Sequence, residues 1–247
     1  HPTTGFANEV MGKPYGKLEC YYILKVREGI DPYIRLGFQH SPSREEWKAI
    51  VEAQDMEKMD ACFEKIPVKP GEVWYIPGGM PHAIGEGITM LEIMEPSDLV
   101  VRCEFSREGI VVPEEARFMG RGLDFCLDIF DYTEYSKEEI IERCRIKPEI
   151  LEKTDSCQRQ RLVGEALTPC FFVEKIEAWK PCEIVHNGKF TLGVVCSGSC
   201  ILEQEGQQIH LKQGDSFAIA AAAERWSILP EEETELVIVY PGKDMEK

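Results

Sequence analysis

The residues most able to do chemistry stand in three short stretches. Lys17, Glu19, Tyr21 and Ile23 fall on one face of a strand-like run, with Cys20, Tyr22 and Leu24 on the other. If the face carrying Ile23 points inward, Lys17 and Glu19 are opposite charges taken out of water, a costly arrangement unless they pair or meet a metal. His82 follows Pro77-Gly78-Gly79-Met80-Pro81, whose glycines and prolines force a tight turn before the next strand. A His pinned in this way is either a metal ligand or a side chain hydrogen-bonded at a turn, and its position alone fits both. Asp98, Val100, Arg102 and Glu104 share a third face, where an ion pair on an exposed edge strand would account for Asp98 or Arg102 taken singly. Taken together on neighbouring strands, Lys17, Glu19, His82, Asp98 and Arg102 form a constellation. A carboxylate with imidazole suits zinc or another borderline divalent metal, and Lys and Arg suit an anionic substrate.

These residues are positioned by a module that occurs twice. Val68-Lys69-Pro70-Gly71-Glu72-Val73-Trp74-Tyr75-Ile76-Pro77 lines up with Leu211-Lys212-Gln213-Gly214-Asp215-Ser216-Phe217-Ala218-Ile219-Ala220, and the same offset sets His82 opposite Arg225. Upstream, the run from Tyr21 to Val26 resembles that from Thr191 to Cys196. No Glu precedes the second run, and Gly188 stands at the place of Glu19. The second copy is therefore expected to hold no metal. His40, His186 and His210 lie outside both motifs and read as ordinary loop or surface histidines. The segment from Gly29 to Gly71 is far longer than that from Gly198 to Gly214. Ser43-Arg44-Glu45-Glu46 is a capping box leading into Trp47, Ile50 and Val51, which predicts a helix of about four turns inserted over residues 43–63. A second capping box, Ser136-Lys137-Glu138-Glu139, and helical spacing at Leu123, Cys126 and Leu127 predict a helical segment over 115–165. Its charge run from Glu149 to Arg161 reads as a solvated face.

Composition excludes whole classes of function. The 247 residues suffice for one large domain or two small ones. No apolar run approaches a membrane span, the longest being the small-sided stretch Ala218–Ala223. With 44 acidic against 28 basic residues and a net charge of −16, the chain would repel nucleic acid. The ten cysteines lack a CxxC spacing and a secretory leader, so they read as reduced thiols in a cytoplasmic protein, with Cys196 and Cys200 packed in a strand. The chain begins with His1-Pro2 rather than Met, and an absent N-terminal segment is expected.

Short strands broken by Gly and Pro indicate a sandwich or barrel, and the Gly-acid turn followed by Pro and His resembles the second motif of the cupin jelly roll. Val68 to Arg102 closely resembles the type I phosphomannose isomerases, which are zinc-dependent bicupins. Gly16-Lys17-Leu18-Glu19 resembles their Gly-Lys-Thr-Glu strand, and His1-Pro2 the end of their Gln-X-His-Pro motif. The resemblance implies a mainly β double cupin of two jelly-roll barrels. A catalytic cupin would occupy 1–114, the helical segment 115–165, and a second cupin without metal ligands 166–247. It further implies one zinc per chain held by His1, Glu19 and His82, with a Gln two residues before His1. Lys17, Asp98 and Arg102 map to active-site positions: Arg102 to stabilise negative charge, Asp98 to orient it, Lys17 to shuttle a proton. The implied partner is a small phosphorylated sugar, mannose 6-phosphate interconverting with fructose 6-phosphate through an enediol. Met94, Val100-Val101 and Cys103-Glu104-Phe105 depart from the family's usual Gln, Thr-Tyr and Asp-Tyr-Asp, all at the substrate end. A non-catalytic sugar-phosphate-binding cupin, or an isomerase of another sugar phosphate, is the alternative. A cupin oxygenase would want His-X-His where the sequence has Lys17-Leu18-Glu19.

Overall fold

The computed structural model describes residues 1–243 as a mainly β protein that divides into two units, 1–146 and 147 onward. No helix among the described residues is long and apolar enough to cross a membrane. The first unit runs α1 (Thr4–Met11), β1 (Glu19–Val26), β2 (Tyr33–Leu36), α2 (Arg44–Ala53), α3 (Met56–Ala61), β3 (Ile66–Pro67), β4 (Val73–Ile76), β5 (His82–Ile84) and β6 (Ile88–Met94). It continues through the hairpin β7 (Ser106–Arg107) and β8 (Ile110–Val111), then α4 (Glu114–Arg117), α5 (Leu123–Cys126), α6 (Lys137–Cys144) and β9 (Arg145–Ile146). Its strands form a four-stranded sheet, β6-β1-β4-β9, and a three-stranded sheet, β3-β2-β5. Tyr21, Ile23, Ile34, Leu36, Trp74 and Ile76 from both sheets meet in one apolar core.

The insertion folds as two helices rather than one. Both halves of the Ser43–Glu46 capping box form, and Trp47 and Val51 bury one face of α2. At Gln54 the backbone turns left-handed (φ 50°, ψ 43°), and Asp55 accepts from the Lys58 amide to start α3 afresh. Trp47 packs with Phe38, Val51, Met59, Cys62 and Leu127 in a second core. Truncating such a side chain to Ala costs about 3–5 kcal/mol.

The second unit comprises β10 (Glu149–Lys153), β11 (Cys157–Val163), β12 (Phe171–Ala178), β13 (Cys182–Val185), β14 (Thr191–Ser197), β15 (Ser199–Gln204), β16 (Gln207–Lys212), β17 (Ser216–Ile219), β18 (Arg225–Pro230) and β19 (Thr234–Pro241). These form sheets of order β10-β11-β12-β19-β14-β17 and β13-β18-β15-β16 around a core of Ile176, Ile184, Val195, Leu202, Phe217 and Trp226. The helical segment expected over 115–165 thus ends at Cys144, and 149–163 is a β-hairpin. The charge run pairs across its strands: Arg161 meets Glu149 at 3.2 Å, and Arg159 meets the buried Glu174 on β12 at 2.8 Å. Eight of the ten cysteines are buried, and burial pushes the Cys20 and Cys196 thiols up to about 12.

The repeat is visible in the strand registers. Glu19 pairs with Ile76 and Tyr21 with Trp74, just as Thr191 pairs with Ile219 and Gly193 with Phe217. Ile23 closes on the turn at Gly71 (N–H to Glu72 O, C=O from Gly71 N–H), and Val195 does the same with Asp215 and Gly214. Gly71 (φ 86°) and Gly214 (φ 91°) are both left-handed. This register sets Thr191, not Gly188, at the place of Glu19. It also sets Gly193, rather than Thr191, at the place of Tyr21, and this two-residue shift of the run keeps its side chains on their own faces, so the apolar pattern does not distinguish the two alignments.

Candidate active site

Glu19 is the centre of the first unit's polar cluster. It opens β1 with its side chain turned inward and only 2% exposed. Its Oε1 lies 2.9 Å from His1 Nε2 and 3.1 Å from Lys17 Nζ. Its Oε2 accepts from the Tyr21 hydroxyl at 2.5 Å and lies 3.4 Å from His82 Nε2. Burial alone would raise its pKa; the hydrogen bonds of His1, His82 and Tyr21 outweigh burial and hold the carboxyl well below the usual carboxylate range.

Backbone packing brings the two histidines to it. The His1-Pro2 segment runs so close to Gly16 and Gly78 that a Cβ at either would stand 2.4 and 2.6 Å from the Pro2 carbonyl oxygen, so both positions require glycine. Gly79 N–H donates to the His1 carbonyl, and Lys17 N–H to that of Pro2. His82 starts β5, opposite Leu36 of β2. The Nδ1 atoms of His1 and His82 lie 2.8 and 2.9 Å from the carbonyl oxygens of Leu99 and Met80.

That last feature tests whether a metal fits. A carbonyl only accepts, so each Nδ1 carries a proton and each ring turns its Nε2 towards Glu19. A proton on Nε2 hydrogen-bonds to the carboxylate; with a cation in place of those protons, two imidazole lone pairs and the carboxylate would converge on it. One ligand atom from each of the three residues falls within 4.8 Å of the others. Two imidazole nitrogens and a carboxylate oxygen, with each ring oriented by a backbone carbonyl, form a donor set suited to zinc.

A cavity of about 290 Å³ opens beside the cluster, lined by His1, His82, Arg102, Arg35, Asp60 and Trp47. Of the residues singled out in the sequence, Lys17, Glu19, His1 and His82 meet directly, and Arg102 lines the cavity. Asp98 does not. It is exposed and lines a second hollow with Lys13, Tyr15 and Arg102, which thus borders both, and Arg102 Nη1 donates to the Ala116 carbonyl at 2.6 Å. Nor do residues 95–105 form the strand expected there. Pro96 cannot donate to a ladder, and Ser97 N–H folds back onto the Glu95 carbonyl.

One group was missed. Glu92 on β6 stands opposite Tyr21, on the face of the sheet that carries Glu19. Partial desolvation against the sheet, followed by the negative charge of Glu19, raises its pKa although the residue remains exposed. Its signal was the period-2 set Met90, Glu92, Met94, with one carboxylate interrupting an otherwise apolar face.

Among the described residues, the second unit gathers no such group of histidines and carboxylate. Thr191 replaces Glu19, Gly193 replaces Tyr21, and Arg225 replaces His82 and pairs with Glu183. The Phe217 ring lies over Gly193, where an added Cβ would meet its Cζ at 2.2 Å.

Residues 166–241 match the family model described as mannose-6-phosphate isomerase, cupin domain. The chain is 38% identical over 109 residues to the mannose-6-phosphate isomerase of Streptococcus mutans, covering 44% of this chain and 32% of that protein. It is 34% identical over 102 residues to the mannose-6-phosphate isomerase ManA of Bacillus subtilis, covering 41% and 30%. These alignments thus span about a third of the relatives' own length. Among solved structures, the mannose 6-phosphate isomerase of Bacillus subtilis superposes with a TM-score of 0.72 at 22% identity, over 97% of this chain and 69% of that one. The apo enzyme of Salmonella typhimurium gives 0.65 at 15%, over 98% and 75%. Family model, relatives and fold agree in likening the chain to the cupin-containing mannose-6-phosphate isomerases.

Proposed function

We propose that the protein is a zinc-dependent aldose-ketose isomerase that interconverts mannose 6-phosphate and fructose 6-phosphate. We read both units as cupins, the first catalytic and the second without a metal, in a cytoplasmic enzyme whose thiols stay reduced. The observation that carries this reading is the convergence of the His1 and His82 Nε2 atoms on Glu19 beside a cavity lined by Arg102.

His1, Glu19 and His82 would hold the zinc, which when bound orients and polarises sugar oxygens. Tyr21 fixes Glu19 through its hydroxyl. The reaction removes the proton from C2 of the open-chain aldose, leaves a C1–C2 enediol, and returns a proton to C1. Meanwhile O1 gains a proton and O2 loses one. Glu92, on the same face as Glu19 and exposed, is the group assigned to the carbon-bound proton. Lys17 Nζ, beside Glu19, moves the proton between the two oxygens. Arg102, on the cavity wall, stabilises the negative charge that develops there.

Val100, Val101 and Cys103 line the same cavity and replace polar residues usual in the family, which favours as second reading an isomerase of a different sugar phosphate. The test is turnover of mannose 6-phosphate by the full-length protein, stripped with chelator and reloaded with zinc. Activity that returns only with the metal supports the proposal. Zinc binding without turnover of this sugar, but with turnover of another phosphorylated aldose, favours the second reading. Sugar-phosphate binding with no isomerisation of any of them would make the protein a non-catalytic binder.

A further inference from the structure

Residues 95–105 carry Arg102 to the cavity without a strand or helix of their own, so their position depends on what grips them. At one end Glu95 N–H donates to the Leu18 carbonyl, and beyond it Arg102 N–H donates to that of Arg117. On the side of the insertion, Cys103 and Phe105 pack against the Trp47 core, and the Gln54 side chain supplies hydrogen bonds to the loop backbone. Gln54 Nε2 donates to the carbonyls of Cys103 and Val51, both at 2.7 Å, and Oε1 accepts from the amides of Phe105 at 2.7 Å and Ser106 at 2.9 Å. A primary amide offers two donors and two acceptor lone pairs, and all four are used.

The backbone at Gln54 makes this more telling. The residue caps α2 in the left-handed conformation, where glycine or asparagine is the easy choice. A glutamine has no backbone advantage there; its advantage is the reach of its amide to Cys103 and Phe105. The helices that present it belong to the insertion that lengthens the first copy of the repeat.

We propose that Gln54 is a positioning residue for Arg102: the inserted helices use its amide to hold loop 95–105 so that the guanidinium lines the cavity beside His1 and His82. The functional part of this inference rests on the proposed isomerase reading. Gln54→Gly removes the side chain while relieving the backbone, and Gln54→Glu keeps the acceptor but loses both donors, which covers the case in which the glycine variant fails to fold. In the zinc-loaded, full-length protein, hydrogen exchange at the Phe105 and Ser106 amides is expected to accelerate at least about tenfold in the glycine variant, with zinc content unchanged. Turnover is expected to fall about tenfold, and Gln54→Gly on an Arg102→Ala background to cost nothing further, because both changes remove the same placed guanidinium. Unchanged exchange at those amides, or losses that multiply with those of Arg102→Ala, would overturn the proposal. A wild-type protein that isomerises no sugar phosphate would defeat the isomerase reading, and the exchange result alone would then decide whether Gln54 holds the loop.

Discussion

The two copies of the repeat share their strand registers, their glycine turn and the placement of the strand after it, yet one gathers a polar cluster around Glu19 and the other has no carboxylate at that place. Where the first copy has Glu19, Tyr21 and His82, the second has Thr191, Gly193 and Arg225. Where Glu92 faces Tyr21 across the sheet, Ile238 faces Gly193. In the second copy the Phe217 ring occupies the space above Gly193 and packs on Trp226. The same backbone therefore supports either a polar site or an apolar core, and about four inward positions decide between them. The first copy also carries the inserted helices that hold the loop of Arg102, so its site is supported by chain that the second copy lacks.

Substituting residues so that each copy resembles the other tests this contrast. The largest effect is expected in the first copy. Glu19→Gln leaves Lys17 without its buried counter-charge and removes the carboxylate from the metal set, so the apo protein should lose about 3–5 kcal/mol of unfolding free energy. Zinc-dependent turnover should fall below detection; urea unfolding and a steady-state assay on the same preparation check both. In the second copy, Gly193→Ala drives a methyl group into the Phe217 ring and should cost about 1–3 kcal/mol, read from the midpoint of thermal unfolding. The smallest effect is expected from Arg225→His, which recreates the first copy's residue without its partners. It breaks an exposed pair with Glu183, worth at most about 1 kcal/mol, and zinc content should stay unchanged because Thr191 offers no carboxylate.

Much of the site was legible because strands and turns impose simple rules. Period 2 placed Lys17, Glu19 and Tyr21 on one face, and the turn of two glycines and two prolines marked His82. Both capping boxes formed where their serines and glutamates stood. The misreadings have equally physical origins. A two-residue slip changes no facing, so the run starting at Thr191 matches the one starting at Tyr21 as well as the true register does, in which Gly193 stands at Tyr21 and Thr191, not Gly188, at Glu19. Charges that alternate from Glu149 to Arg161 resemble a solvated helix, but they pair across strands and one of them meets the buried Glu174. Asp98 to Glu104 alternates like a strand, yet Pro96 and the fold-back at Ser97 leave it without ladder partners. Gln54 carried no local signal at all, since its partners lie about fifty residues along the chain.

The central claim is that His1, Glu19 and His82 form a single metal site in the first copy and that the second copy has none. Calorimetric titration of the chelator-stripped, full-length protein with zinc tests it most directly, with Glu19→Gln titrated alongside. The account predicts one tight site per chain in the wild type and none in the variant. Two equivalent sites, no site, or a site that survives Glu19→Gln would contradict it.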